Sequence, residues 1–303
     1  MPQVLREPHR VNISTIYQGW KLAIGPVLSG RPRIAWKMCF ACWTPVSGSY
    51  AEVRSARSGL LRVCAYAPGA SGGLDISGLR MLLIADLLAR TAELRDWQVL
   101  TVLAFAGPPS GQVTAFEQAA DALGIHPPVA RASSDDAPAA LGGPIDVHLV
   151  SDGASPEGGQ NGLVTRVGAA HMGSAVSHDE AAKDLLARSR PNPLGIRLAL
   201  MSVAYDQPAD LTEDLLASAG ETVAHWRRQL AEWAELPSRP MPTRIAETAQ
   251  AAFDDLDTRR ALTLLRDLAL DACVPTGAKF ETFLYADRIL GLELAREIGQ
   301  PRD

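Results

Sequence analysis

The sequence predicts an α/β protein: a doubly wound parallel sheet followed by an α-helical bundle. Three observations carry this. An apolar run over residues 60–66 is followed by a Gly/Ser/Pro-rich loop, and from Leu79 apolar residues recur at helical spacing (Leu79, Leu82, Leu83, Leu87). Short apolar segments and amphipathic segments then alternate to residue 150, the order expected of βαβ units. After about residue 178 the spacing is helical to the end.

In chain order, residues 1–59 show no clear periodicity and are rich in Pro, Gly and Arg, with apolar islands at 34–36 and 39–43. They read as an N-terminal extension that packs on the core through Trp20, Trp36 and Trp43. Residues 60–66 read as a strand, 78–95 as a helix, 98–105 as a second strand and 113–124 as a helix. A Pro/Ala/Ser/Asp-rich connection over 127–143 leads to a third strand at 145–150, apolar enough for a parallel sheet covered on both faces. Helices are expected at 179–189, 194–205, 211–235, 242–256, 258–273 and 279–297. Pro191, Pro193, Pro208, Pro237, Pro240, Pro242 and Pro275 punctuate them. Asp210 or Thr212 is placed to cap the long helix, and Thr258 the helix after Asp257. Three segments follow: 1–59, the α/β core at 60–178 and the bundle at 179–303.

Composition is that of a globular protein, with 47% hydrophobic and 21% charged residues among 303. The longest apolar runs, such as Met81–Ala85, are far too short to span a bilayer, and no signal-like stretch follows Arg6 and Arg10, so a cytoplasmic protein is expected. A net charge of −5 argues against a broad nucleic-acid surface. The four cysteines (Cys39, Cys42, Cys64, Cys273) are no disulfide framework, and the single C-x-x-C of Cys39 and Cys42 lacks the second pair of a structural zinc site.

Five segments in order carry a resemblance: LLRVCAYAPGASGGLDISGLRMLLIADLLAR (60–90), AFEQAADALGIHPPVARAS (115–133), IDVHLVSD (145–152), NPLGIRLALMSVAYDQPADLTEDLLASA (192–219), and AAFDDLDTRRAL with FLYADRILGLEL (251–262 and 283–294). Together they resemble the class I aminoacyl-tRNA synthetase family, in particular cysteinyl-tRNA synthetase and the related cysteine ligase of mycothiol synthesis. The resemblance implies a Rossmann-like (HUP-type) core, ATP as cofactor, and an aminoacyl adenylate or amino acid as ligand. Where that family has H-I-G-H, this chain has Asp75-Ile76-Ser77-Gly78. Where it has K-M-S-K-S, this chain reads His171-Met172-Gly173-Ser174-Ala175. Both histidines and both lysines are replaced, and the lysines would stabilise charge on the ATP phosphates. Cys64 falls on the first zinc-ligand position, but Glu157-Gly158-Gly159 stands where H-H-E is expected. The insertion carrying another cysteine shrinks to 134–144, and AFAGPPSG (104–111) replaces an N-T-D-x-D-D run. That donor set argues against zinc. The pattern ends with the bundle, which predicts no tRNA partner, and no membrane association is expected.

Carried over by position, the nucleotide-binding candidates are Asp75, Ser77, Gly78, Asp146, His148, His171, Met172 and Ser174. The amino-acid pocket candidates are Cys64 and Asp152. Each also has a plainer reading. Asp75 and Ser77 suit an ordinary helix cap, which like-charge repulsion between Asp75 and a phosphate favours. Cys64 suits a small buried hydrophobe. Asp146 and His148 share a strand face, either in a pocket or as an internal pair. His171 and His178 are spaced to share a helix face, without a carboxylate or thiol to complete a metal site. Trp226, Leu230 and Trp233 form a core stripe, with Arg227 and Arg228 beside them as solvated surface. No Ser-His-Asp elbow or Walker loop is present. The expected function is a non-catalytic paralogue that binds or regulates through a remnant adenylate pocket. The alternatives are a divergent ATP-dependent ligase for a small amino or carboxylic acid, and a structural subunit docking on a protein partner.

Overall fold

A computed structural model describes residues 41–44, 49–52, 55, 57–67, 75–105, 110–151, 162–172 and 192–300. The expected helix at 179–189, the residues Trp20, Trp36 and Cys39, and the candidates Asp152 and Ser174 lie outside the described residues. Within the segment read as an aperiodic extension, β1 (Ala41–Thr44) and β2 (Ser49–Glu52) pair antiparallel.

Five strands form a parallel sheet: β3 (Leu60–Tyr66), β4 (Gln98–Ala104), β5 (Ala130–Ala132), β6 (Val147–Val150) and β7 (Leu163–Arg166), in the order β5-β4-β3-β6-β7. β3 is central and buried along its last six residues. That explains why it reads as a continuous apolar run rather than an alternating one. Its side chains still alternate: Leu61, Val63 and Ala65 enter one core, and Cys64 and Tyr66 enter a second with Val102, Ala104, Ala137, Leu141 and Val150. The first core lies under α1 (Ile76–Glu93) and α2 (Ser110–Ala122), and the short α3 (Ala137–Ala140) lies on the second face. The short β5, α3 and β7 were not separable from their connections in sequence, because three or four residues carry too little periodicity to register.

Beyond the sheet come β8 (Ala170–Met172) and β9 (Ala209–Leu211), a parallel pair, with α4 (Leu194–Met201) between them. The bundle continues with α5 (Glu213–Trp233), α6 (Thr243–Asp254), α7 (Thr258–Leu270) and α8 (Thr276–Leu290). Gly291 then ends α8 at φ 62°, the left-handed C-cap that a Cβ would strain. The first core is continuous from Leu61 and Leu83 through Trp226 and Leu262 to Phe283, so sheet and bundle share one interior. The Trp226 and Trp233 rings meet Phe283 edge-on, at centroid distances of 5.4 and 5.3 Å, which places the aromatic stripe in the core as its spacing implies. Among the described residues no helix is long and apolar enough to cross a membrane.

Several local expectations need correcting. Thr212 caps α5 through Leu215 N–H, but Asp257, not Thr258, caps α7, accepting from Arg260 N–H at 3.0 Å. The Thr258 hydroxyl instead donates to the Met201 carbonyl at 2.7 Å. Arg227 is not solvated surface: it is buried and donates to the carbonyls of Leu292 and Glu293, while Arg228 is exposed. A carbonyl end on a neighbouring turn is a partner that periodicity along α5 cannot reveal. His171 stands on a strand, so it presents no helix face to share with His178, which is outside the described residues.

Candidate functional site

The order β5-β4-β3-β6-β7 reverses direction between β3 and β6. In open parallel sheets the crevice beyond the strand carboxyl ends at such a switch point is where ligands bind. Cys64 and His148 are Cα partners across that line. Their side chains, with Tyr66, share the second face of the sheet. The Tyr66 hydroxyl lies 2.9 Å from His148 Nδ1, and the two rings stack at 20° with centroids 5.8 Å apart. Cys64 lies two residues before Tyr66 on the same strand face, and both enter the second core. Burial pushes the Cys64 thiol up to about 11, and burial together with the adjacent Cys64 raises the Tyr66 phenol as well. The Cys64 and Tyr66 side chains are therefore neutral groups rather than thiolate or phenolate. Gly162 makes room for the imidazole: its φ is 136°, and a Cβ there would lie 3.0 Å from His148 Nε2 and 2.6 Å from the Ile145 carbonyl.

The amino terminus of α1 sits beside this line. Asp75 caps the helix, its Oδ1 accepting from Gly78 N–H at 3.0 Å. Ser77 is buried; its hydroxyl donates to the Ala170 carbonyl at 3.1 Å and accepts from Ala170 N–H at 3.0 Å. The helix start is thus stapled to β8, the strand that carries His171 and Met172. Arg80, one turn on, is fully buried and donates to the carbonyls of Gly168, Ala169, Ala204 and Gln207. Burial lowers its guanidinium to about 10, with Asp206 acting in the opposite sense.

The remaining candidates are separated. Asp146 lies at the opposite, amino-terminal end of β6, where its Oδ2 accepts from Arg62 N–H at 2.8 Å and holds β3 and β6 in register. It shares a strand face with His148, as alternation implies, but not the carboxyl-end crevice. His171 is exposed and opposite Asp210 on β9, while Met172 packs partly buried against the main core. A groove of about 130 Å³ opens elsewhere, between α1, the start of β4 and the loop at 126–129. It is lined by Leu82, Asp86, Ala89, Thr101, His126 and Val129.

Sequence reading passed over two features. Tyr66 was legible as the next same-face neighbour of Cys64. Asp86, which interrupts the apolar spacing of α1, accepts from Arg197 Nη2 at 2.6 Å, Arg90 Nε at 2.8 Å and the His126 backbone N–H at 3.2 Å. An acid in one apolar helix and a base in another was the available signal, but only packing pairs them.

No family model matches the chain. The L-cysteine:1D-myo-inositol 2-amino-2-deoxy-alpha-D-glucopyranoside ligase of Salinispora arenicola is 39% identical over 118 residues, 36% of this chain and 27% of that protein. The cysteine–tRNA ligase of Xanthomonas axonopodis pv. citri is 32% identical over 121 residues, 37% of this chain and 24% of that protein. The chain resembles the class I cysteine ligases. The matched stretch spans about a quarter of the length of these curated relatives. Among solved structures, Thermus thermophilus arginyl-tRNA synthetase aligns over 98% of this chain and 95% of its own at 12% identity and TM-score 0.46. The fold itself, a doubly wound parallel sheet followed by a helical bundle, is read from the strand order, the parallel registers and the helices that follow.

Proposed function

We propose that the chain is a cysteinyl-tRNA-synthetase-like paralogue without synthetase catalysis, a binding or regulatory protein that takes a small adenylate or amino acid at the switch-point crevice. The observation that carries this is the Ser77–Ala170 staple. In the resemblance, the segments aligned with 75–78 and 171–175 supply the donors and cations that stabilise the ATP phosphates. Here the hydroxyl of the first segment is spent on the backbone beside the second. The nearby cation, Arg80, is spent on interior carbonyls. Charge stabilisation of that kind is worth several kcal/mol in a phosphate-transfer transition state, and its loss favours binding over turnover.

The test is thermal unfolding with ATP, cysteine and a non-hydrolysable cysteinyl-adenylate analogue, followed by pyrophosphate exchange. A ligand at a hundred times its dissociation constant stabilises by about 2.7 kcal/mol, a shift of several degrees. The expected result is a shift with the analogue and no exchange. Amino-acid-dependent exchange would overturn the proposal in favour of a divergent ATP-dependent ligase. No shift with any of the three would overturn it in favour of a structural subunit that acts through a protein partner.

A further inference from the structure

The resemblance implies a zinc ion bound through Cys64, and the residues around Cys64 do not fit one. A structural or substrate-selecting zinc takes a thiolate and further His, Cys or carboxylate ligands within about 2.0–2.3 Å. The Cys64 side chain is instead enclosed by Val102, Ala104, Ala137, Leu141 and Val150, with no exposed surface. The nearest imidazole, His148, is engaged at Nδ1 by the Tyr66 hydroxyl, and its Nε2 edge lies against Gly162. Among the described residues there is no group of three or more His, Cys, Asp or Glu placed to hold a metal.

We propose that Cys64 is a metal-free interior thiol, packed on the sheet face that carries the Tyr66–His148 hydrogen bond, and that any amino acid held at the switch point is recognised without a zinc–thiolate bond. Either the Tyr66 O–H donates to Nδ1 or Nδ1–H donates to the Tyr66 oxygen, and in both cases Nδ1 offers no lone pair to a metal. Tyr66 therefore occupies the role a metal would have had: it ties the end of β3 to β6 across the switch point. A pocket built this way has lost the chemistry that singles out a thiol, so its ligand class widens to small amino or carboxylic acids lacking one.

This rests on the relationship to the cysteine ligases proposed above, and its test is separable from that reading. The full chain, purified without chelator, is exposed to zinc, desalted and assayed for bound metal by mass spectrometry. It is then alkylated with iodoacetamide in the native state, and the modified cysteines are located by peptide mapping. The expected outcome is no zinc retained through Cys64 and alkylation of the exposed Cys273 many-fold faster than Cys64. Zinc held equally by wild type and Cys64→Ser also supports the proposal, since the metal is then bound elsewhere. One zinc per chain that Cys64→Ser loses, or Cys64 alkylation that begins only after chelation, overturns it. Pyrophosphate exchange by zinc-free protein would overturn the non-catalytic reading and leave this assignment standing.

Discussion

Asp86 on α1 and Arg197 on α4 meet at 2.6 Å with both side chains fully buried, joining the α/β core to the helical bundle through one ion pair. Arg197 extends the joint, donating to the carbonyls of Leu290, Leu123 and Gly124, so a single guanidinium on α4 touches α1, the turn after α2 and the end of α8. Burial alone would raise the Asp86 carboxyl, but the guanidinium groups of Arg197 and Arg90 outweigh it and hold the group below its ordinary value. Arg197→Met should cost about 3–5 kcal/mol in urea unfolding, because it leaves a buried carboxylate and three carbonyls under-partnered. The double variant with Asp86→Asn should cost less than the sum of the two singles.

The same carboxylate sets an acid limit. With the folded value below the unfolded one of about 3.9, its contribution is fully present above roughly pH 5 and is lost as pH falls through the folded value. The stability difference between wild type and Asp86→Asn should therefore stay constant from pH 7 to pH 5 and narrow below about pH 4. A gap that widens on acidification would refute this account.

Ser77→Ala removes the hydroxyl that pairs with both the N–H and the C=O of Ala170, which is buried. A loss of about 1–3 kcal/mol is expected in chemical denaturation. Hydrogen exchange should locate the damage, with the Ala170 amide exchanging faster and the distant amides of α7 unchanged.

Gly195 on α4 and Gly220 on α5 pack backbone to backbone, yet substitution at each has an opposite sign. A Cβ on Gly195 would lie 2.8 Å from Gly220 Cα, whereas one on Gly220 meets nothing within 4 Å. Gly195→Ala should destabilise by about 1–3 kcal/mol through overpacking. Gly220→Ala should be neutral or stabilise by up to about 1 kcal/mol through helix propensity. Equal effects in thermal melts would mean the helices are not in the contact described.

Tyr66→Phe keeps the ring stack on His148 and removes only the hydroxyl, leaving a buried imidazole nitrogen without that partner. A cost of about 1–3 kcal/mol is expected. His148→Gln in the same background should recover part of it if the hydroxyl–imidazole bond is the cause, and none if the loss comes from packing.

The sequence by itself determined the element types and the direction of the fold. The central strand at 60–66, the helix after the glycine-rich loop and, within the bundle read from about residue 178, the helices from residue 194 on are strongly patterned segments, and patterning reports burial of a face. It also placed Cys64 and His148 on strands of one sheet, and Trp226, Leu230 and Trp233 in a core. What only the tertiary structure decided was pairing. That β3 lies between β4 and β6, that Tyr66 reaches His148, that Ser77 closes on Ala170, and that Arg80, Arg197 and Arg227 are interior rather than solvated all depend on partners 38 to 127 residues away. A buried arginine is stable only when its donors find carbonyls or a carboxylate, and those partners come from elements that adjoin it only after the core has formed. Local spacing records which face of an element leaves water; it does not record which polar group will be waiting there.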